Sequence, residues 1–460
     1  MILFGVAPII IQQQNPYPIF ETDKIGAKEL KARRVALLKQ LEPGSIAIFF
    51  SNPTRNRNND VDYQYRGDSN FLYLTGYEEP DGALVLIPGG VTVNGKTVHE
   101  VLFTEEPDPA SLTWLGYRMG AANAVPMLGM DAAFPNKEFT RMLPSLAVAA
   151  TAKNYSLSIP PDESGWERAT SAMAVKWLDT NGFTKGRNVG RLVLSAREIK
   201  SPAEIALIKK ACEISARAHI EAMRTAEPGM REWEIGSLVK YMFGREGCEY
   251  EGYPPICGSG PNSTILHYEP NRGPMNAGDV MCMDTAGEFH GYSADVTRSF
   301  PITGKWTRPQ RDIYEVVLRA QSAGIELCRK GVDQGQVGAA CAKELADGLI
   351  RLGIIKEAGE LGRYYMHGFG HGIGLDVHDP LSRVLQPGNC LTVEPGIYIK
   401  EGSPCDRKYW NIGIRIEDDI LVTDGDPVIM SGAAPRDPDA IERLMAEKGI
   451  GNIKQAPYGG

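Results

Sequence analysis

The sequence predicts an α/β protein of two domains, an N-terminal α/β domain over residues 22–185 and a C-terminal α+β domain over residues 195–450. Three observations carry that expectation. Between residues 22 and 185, a helical stretch (24–41) is followed by short apolar, strand-like runs: SIAIFF, NFLYLTG, GALVLI and EVLFTE. The turn-rich NGFTKGRN then breaks the pattern, and a helix opens at Ser201-Pro202-Ala203-Glu204, where a capping box coincides with proline at the first helical position. Third, AGDVMCMD and PGNCLTVE each set a glycine six residues before an acidic residue within an apolar run, which suggests two related αβ halves that donate acidic groups from corresponding strands.

Composition narrows the class. At 460 residues three domains of ordinary size would fit, but two suffice when one is a large catalytic unit. A hydrophobic content of 43% with 23% charged residues supports a soluble globular protein with an ample core. The net charge of −8 argues against a nucleic-acid partner. The start, MILFGVAPIII, lacks a basic segment and a clear cleavage site and makes a poor signal peptide. No stretch reaches the roughly 20 residues of a membrane span. Eight cysteines without a CxxC pair read as buried, reduced thiols of a cytoplasmic protein.

The acidic residues point to chemistry. Asp284 and Asp295 lie in VMCMDTAGEFHGYSADVTRSF, which reads as a β-hairpin. With its turn centred between Phe289 and His290, the two carboxylates face each other on one side of the ribbon, roughly 4.5–5.5 Å apart at Cβ, a repulsive pair unless a cation sits between them. Glu394 ends the apolar run of NCLTVEPGIYI. In NIGIRIEDDI, Ile412, Ile414 and Ile416 alternate with Gly413, Arg415 and Glu417, so Arg415 and Glu417 share a face. Acidic groups on apolar strands cost several kcal/mol unless paired or metal-bound.

His371 completes the set. It lies in HGFGHGIGLDVHD, where Gly368, Gly370, Gly372 and Gly374 alternate with larger residues. His367 and His371 have the i, i+4 spacing of a helical zinc motif, but four glycines at about 1 kcal/mol each oppose a helix, so the segment reads as an active-site strand and loop. His99, His219 and His290 read as structural. GSGPNST lacks the Gly-Lys-Ser/Thr ending of a phosphate loop. Four carboxylates and an imidazole suit two divalent metal ions, Mn²⁺ best, with Co²⁺, Zn²⁺ or Fe²⁺ also compatible, and the reaction class is metal-assisted hydrolysis.

These segments resemble the aminopeptidase P (Xaa-Pro aminopeptidase) branch of the pita-bread metallopeptidases. The likeness runs through SPAEIALIKKACEISARAH, GSGPNSTILHYEPN, MDTAGEFHGYSADVTRSFP, HGFGHGIGLDVHD, LTVEPGIYI and GIRIEDDI, and in the N-terminal half through RNRNNDVDYQYRGDSNFLYLTGYEEPDGALVLIP, which is similar to that branch's accessory domain. The resemblance implies that Asp284 binds one metal, that Asp295 and Glu417 bridge both, and that His371 and Glu394 complete the shells around a bridging hydroxide. It implies that Glu394 accepts a proton from the attacking water and that His267 and His378 contact the scissile peptide. His367 would line the proline pocket and Arg415 would support the ligands on the substrate-binding side. Trp114, in LTWLGYRMG, would reach a neighbouring subunit's active site in a homodimer or homotetramer. Substrates would be peptides with proline at the second position. Prolidase, an Xaa-Pro dipeptidase with the same ligands, is the alternative. Methionine aminopeptidase lacks such an accessory domain, and a non-catalytic module would have lost ligands that this chain retains.

Overall fold

The computed structural model describes residues 17–158, 165–186 and 188–452, so the apolar start of the chain lies outside the described residues. The chain divides into two units, residues 1–193 and 194–460.

In the first unit a six-stranded sheet runs in the spatial order Ala132–Pro135, Lys96–Thr104, Ala83–Val93, Ser45–Phe50, Asn154–Ser158, Thr184–Lys185. Ala83–Val93 is antiparallel to both neighbours, and the outer pairings are parallel. Every residue of Ser45–Phe50 is buried, which explains an unbroken apolar run in place of alternation: a strand covered on both faces has no polar side. On one face Ile46, Ile48 and Phe50 pack with Phe139, Leu143 and Leu146 and with Ala174 and Leu178. Elsewhere in the unit Arg34, fully buried on helix Ala27–Leu38, pairs with Glu100 at 2.9 Å and donates to the carbonyls of Leu74, Leu128 and Gly129.

One expected strand is a helix. NFLYLTG folds as Ser69–Thr75, with the Asp68 carboxylate accepting from the Phe71 amide at 2.9 Å and Gly76 closing the helix at φ 67°. The N-cap aspartate and the left-handed glycine outweigh a β-prone composition. The expected 24–41 helix is shorter, Ala27–Leu38.

The second unit repeats itself. Helices Pro202–Thr225 and Glu232–Arg245 precede one antiparallel ladder, and helices Arg308–Glu326 and Gln334–Arg351 precede another. The Ser201 capping box forms as expected. Gly278 and Gly388 adopt φ 92° and 91°, the Asp279 and Asn389 side chains accept from the amides of Asn276 (2.9 Å) and Gln386 (2.7 Å), and strands Val280–Asp284 and Cys390–Val393 follow.

Both ladders are interrupted in the middle without losing register. Asp284 pairs with Thr297, the ladder lapses, and Glu288 pairs with Ser293. Val393 pairs with Asp418, the ladder lapses, and Gly396 pairs with Arg415. The hairpin register differs from expectation: Asp284 stands opposite Thr297 and not Asp295. The two turn residues are His290 and Gly291, both at positive φ (49° and 81°), as a tight two-residue hairpin requires, so the centre moves on by one residue. Asp295 becomes a diagonal neighbour of Asp284, still on the same face.

His219, fully buried on Pro202–Thr225, bonds through Nε2 to the Thr285 carbonyl at 3.0 Å inside the first interruption. Burial, with Arg298 adding to it, holds its imidazole down at about 4. The unfolded chain takes up a proton there near pH 6.5 and the folded chain only near 4, so the stability due to neutral His219 is complete above about pH 6.5 and is lost as pH falls towards 4, by about 3 kcal/mol. Melting measured at pH 7.5 and 5 is expected to shift less in His219→Gln than in the parent.

No disulfide joins any of the eight cysteines, and seven are buried. Among the described residues no helix is long and apolar enough to cross a membrane.

Candidate active site

The two ladder interruptions and one glycine-rich segment meet at a cavity of about 530 Å³ in the second unit. Asp284 closes its strand. Asp295 stands in the unpaired stretch before Thr297–Pro301, Glu394 follows Cys390–Val393, and Glu417 lies between Ile412–Arg415 and Asp418–Leu421. Side chains at a break in a ladder can turn towards one point, where those of a continuous strand would alternate.

His371 arrives by close backbone packing. The His371 amide donates to Thr392 Oγ1 at 3.0 Å, the Thr392 amide to the His371 carbonyl at 2.8 Å and the Glu394 amide to the Phe369 carbonyl at 2.8 Å. A Cβ on Gly370 would collide with the Thr392 carbonyl, and one on Gly372 with that of Asp379. The glycines are there for this approach. The segment from His367 to Asp379 contains no helix.

All five acidic and imidazole residues line the cavity, together with His267, His367, His378 and Arg415. Trp114 does not. It sits on helix Pro109–Leu115 of the first unit, 85% exposed. Donor atoms of Asp295, His371 and Glu417 lie within 4.8 Å of one another. His371 Nδ1 faces its neighbour's carbonyl, Gly372, at 3.0 Å, which leaves Nε2 towards Asp295 Oδ2 (3.4 Å) and Glu394 Oε1 (3.6 Å).

A hydrogen-bonded frame surrounds these groups. The Tyr253 hydroxyl lies 2.5 Å from Asp284 Oδ1 and 2.6 Å from Asp295 Oδ1, and the Thr297 hydroxyl donates to Glu417 at 2.6 Å. Arg415 donates to Asp284 Oδ2 (2.6 Å), Thr297 Oγ1 (3.1 Å) and the Tyr398 hydroxyl (3.0 Å). Tyr398 in turn lies 2.8 Å from His367 Nε2, whose Nδ1 is 2.8 Å from the Gly368 carbonyl. Arginine can only donate, so the chain of bonds runs one way, from Arg415 through Tyr398 and His367 to that carbonyl, and places the His367 proton on Nδ1.

The roles of Tyr253, Thr297 and Tyr398 are not among those the sequence predicts. Tyr398 had a signal: in GIYI it is the one side chain with a polar tip on a strand that pairs with Arg415's. Tyr253, before Pro254-Pro255, had none.

The electrostatics show too much negative charge for the cations in place. Burial pushes the carboxyls of Asp284, Glu394 and Glu417 up, Glu394 to about 7, and neighbouring carboxylates add to the push, while Arg415 opposes it. Burial also acts on Asp295, but the bond to His371 outweighs it and holds that carboxyl below its ordinary range. His371 shows the converse: burial draws it down, and Asp295 and Glu394 hold it up at about 9. His367 and His378 are both lowered by burial, His367 to about 4, so each is neutral near pH 7. An oxygen-rich set with one imidazole, carrying more negative charge than Arg415 balances, fits hard or borderline divalent cations.

Residues 206–424 match metallopeptidase family M24 and residues 30–155 match the aminopeptidase P N-terminal domain. The Xaa-Pro aminopeptidase of Escherichia coli K12 is 37% identical over 440 residues, covering 92% of this chain and 98% of that protein. A variant of Escherichia coli aminopeptidase P in complex with substrate matches with a TM-score of 0.85 at 34% identity, covering 92% of this chain and 99% of the other. The Zn-substituted enzyme in complex with product gives 0.84 at 35%, with the same coverage. The α/β accessory domain and the two-halved pita-bread catalytic domain are thus accounted for, and the chain belongs to the aminopeptidase P branch of metallopeptidase family M24.

Proposed function

We propose that this chain is an Xaa-Pro aminopeptidase, a hydrolase that releases the N-terminal residue from peptides with proline in second position. The observation that carries the reading is a single cavity in which four carboxylates and His371 converge with three further histidines. Asp284, Asp295, His371, Glu394 and Glu417 would hold two divalent metal ions, with Asp295 and Glu417 shared between them, and Mn²⁺ is the proposed occupant ahead of Co²⁺, Zn²⁺ or Fe²⁺. Two such ions supply Lewis acidity and ease the loss of a proton from water.

The chain's own groups do the rest. Glu394 takes up the proton of the attacking water on its carboxylate. His378, whose ring lies 4.0 Å from that of His371, and His267 donate N–H groups to the scissile peptide. Being neutral, His378 has one such hydrogen to offer. His367, fixed at both nitrogens, presents a rigid ring for proline beside Tyr365, 4.9 Å away. Arg415 opposes the upward push that burial gives Asp284 and, through Tyr398, orients His367. Trp114, exposed on the first unit, is proposed to complete the site of a second copy in a homodimer or homotetramer. Eight unpaired thiols support a cytoplasmic setting.

The test uses Mn²⁺-loaded protein with Ala-Pro, Ala-Pro-Ala and Ala-Ala-Ala. Ala-Pro-Ala is expected to be cleaved fastest, and a chelator that strips the metal to abolish turnover. Preferential cleavage of Ala-Pro would make the protein a prolidase. Full activity after metal removal would overturn the metal-dependent mechanism.

A further inference from the structure

His267 reaches the cavity from a segment that has little regular structure, Ser259 to Gly273, which is exposed at Ile265, His267 and Glu269. Among the described residues no hydrogen bond holds the His267 ring. Its position is therefore inherited from the backbone of its segment. What holds that backbone is a carboxylate outside the cavity: Glu232, the first residue of helix Glu232–Arg245, fully buried. Its Oε1 accepts from the Ser259 amide and the Asn262 side chain, both at 2.9 Å, and its Oε2 accepts from the Gly273 amide at 2.5 Å. The Glu232 amide returns a bond to the Gly273 carbonyl at 3.1 Å. One side chain thus joins both ends of the segment and its first turn, through bonds that its charge strengthens.

We infer that Glu232 is a positioning residue for the proposed hydrolysis: its carboxylate clasps the segment from Ser259 to Gly273 and so holds His267 against the substrate. Other ties are weaker or one-sided. Asn271 also joins the segment's far end to Pro255 and Cys257, just ahead of its start, but through uncharged bonds, while Ser263, which accepts from the Gly413 amide, and the Leu266 carbonyl, which accepts from Arg415 at 3.5 Å, are held at single points. Gly273 belongs to the same design, since a Cβ there would stand 2.9 Å from both Glu232 oxygens. A glutamine at position 232 keeps the shape, loses the charge and puts an N–H where one of the donors now points.

The inference rests on the proposed activity for its kinetic arm only. Turnover of Ala-Pro-Ala and metal content are measured for the parent, Glu232→Gln, His267→Ala and the double variant. Glu232→Gln is expected to lower kcat by about 10- to 100-fold with metal content unchanged, because displacing a reacting group by about 1 Å costs on that order. In the His267→Ala background the same change is expected to cost less than about twofold, because the clasp acts through that ring. Equal losses in both backgrounds, or an unchanged kcat, overturn the inference. Amide hydrogen exchange reads the clasp without turnover. Amides between Ser259 and Gly273 are expected to exchange at least about tenfold faster in Glu232→Gln, while Val280–Asp284 keeps the parent's rates. Unaltered exchange in the segment overturns the clasp even if the parent is active, and a parent inactive on Xaa-Pro peptides overturns the proposed activity alone. If Glu232→Gln does not fold, Gly273→Ala, which crowds the same carboxylate from the other side, is expected to give both effects.

Discussion

Alanine in place of Asp295 or Glu417 is expected to lower turnover by several orders of magnitude and to leave the purified protein with fewer than two metal ions per chain. Both side chains are almost fully buried, both face His371, and their donor atoms form one cluster with it. Losing either removes a ligand proposed to be shared. Asp284→Ala is expected to act alike, with an added loss of stability, because it leaves Arg415 buried without its carboxylate. Breaking such a pair typically costs about 3–5 kcal/mol. Glu417→Gln separates charge from shape. Burial and three neighbouring carboxyls hold Glu417 far above its ordinary range, so the neutral side chain is expected to raise the melting temperature of metal-free protein while weakening metal binding. Metal content by elemental analysis and melting curves with and without chelator check both signs. A variant that kept two metals and near-parental turnover would remove its residue from the shared set.

Alanine at His378 or His267 is expected to lower kcat by about 10²–10³, the usual contribution of a donor aimed at a developing oxyanion, while metal content and melting temperature stay near the parent's. Both rings line the cavity. Neither is a proposed metal ligand, so metal content separates their role from that of His371. If either ring only packed its loop, its removal would lower the melting temperature and spare turnover per folded molecule. Unchanged turnover with a clearly lowered melting point would strike that histidine from the catalytic group.

What was legible in the sequence follows from what local chemistry can encode. Asp284, Asp295, Glu394 and Glu417 stood out because acidic side chains on apolar runs are costly without a partner, and His371 because glycines at alternating positions serve close approach and oppose a helix. The echo of Gly278 and Gly388, each six residues before an acid, announced two related halves, and both glycines turn the chain at nearly the same φ. The strand Ser45–Phe50 and the helix opened by Ser201 were equally plain, since burial on two faces and a capping box each leave a mark within a few residues.

The failures were local as well as long-range. NFLYLTG has the composition of a strand, but Asp68 and Gly76 cap it as a helix, and the hairpin centre lies one residue beyond the expected one because a histidine occupies a left-handed turn position that glycine or asparagine usually fills. Which residues carry the charge, and which segments present them, can be read from the order of the amino acids alone. The folded chain alone makes both ladders break where those charges stand, sets Tyr253 between two aspartates, joins Arg415, Tyr398 and His367 in one directed chain, and closes the segment of His267 with Glu232. The physical reason is that an acid's cost of burial belongs to its own residue, whereas the worth of a hydroxyl or a clasping carboxylate depends on partners that the chain brings together only when it folds.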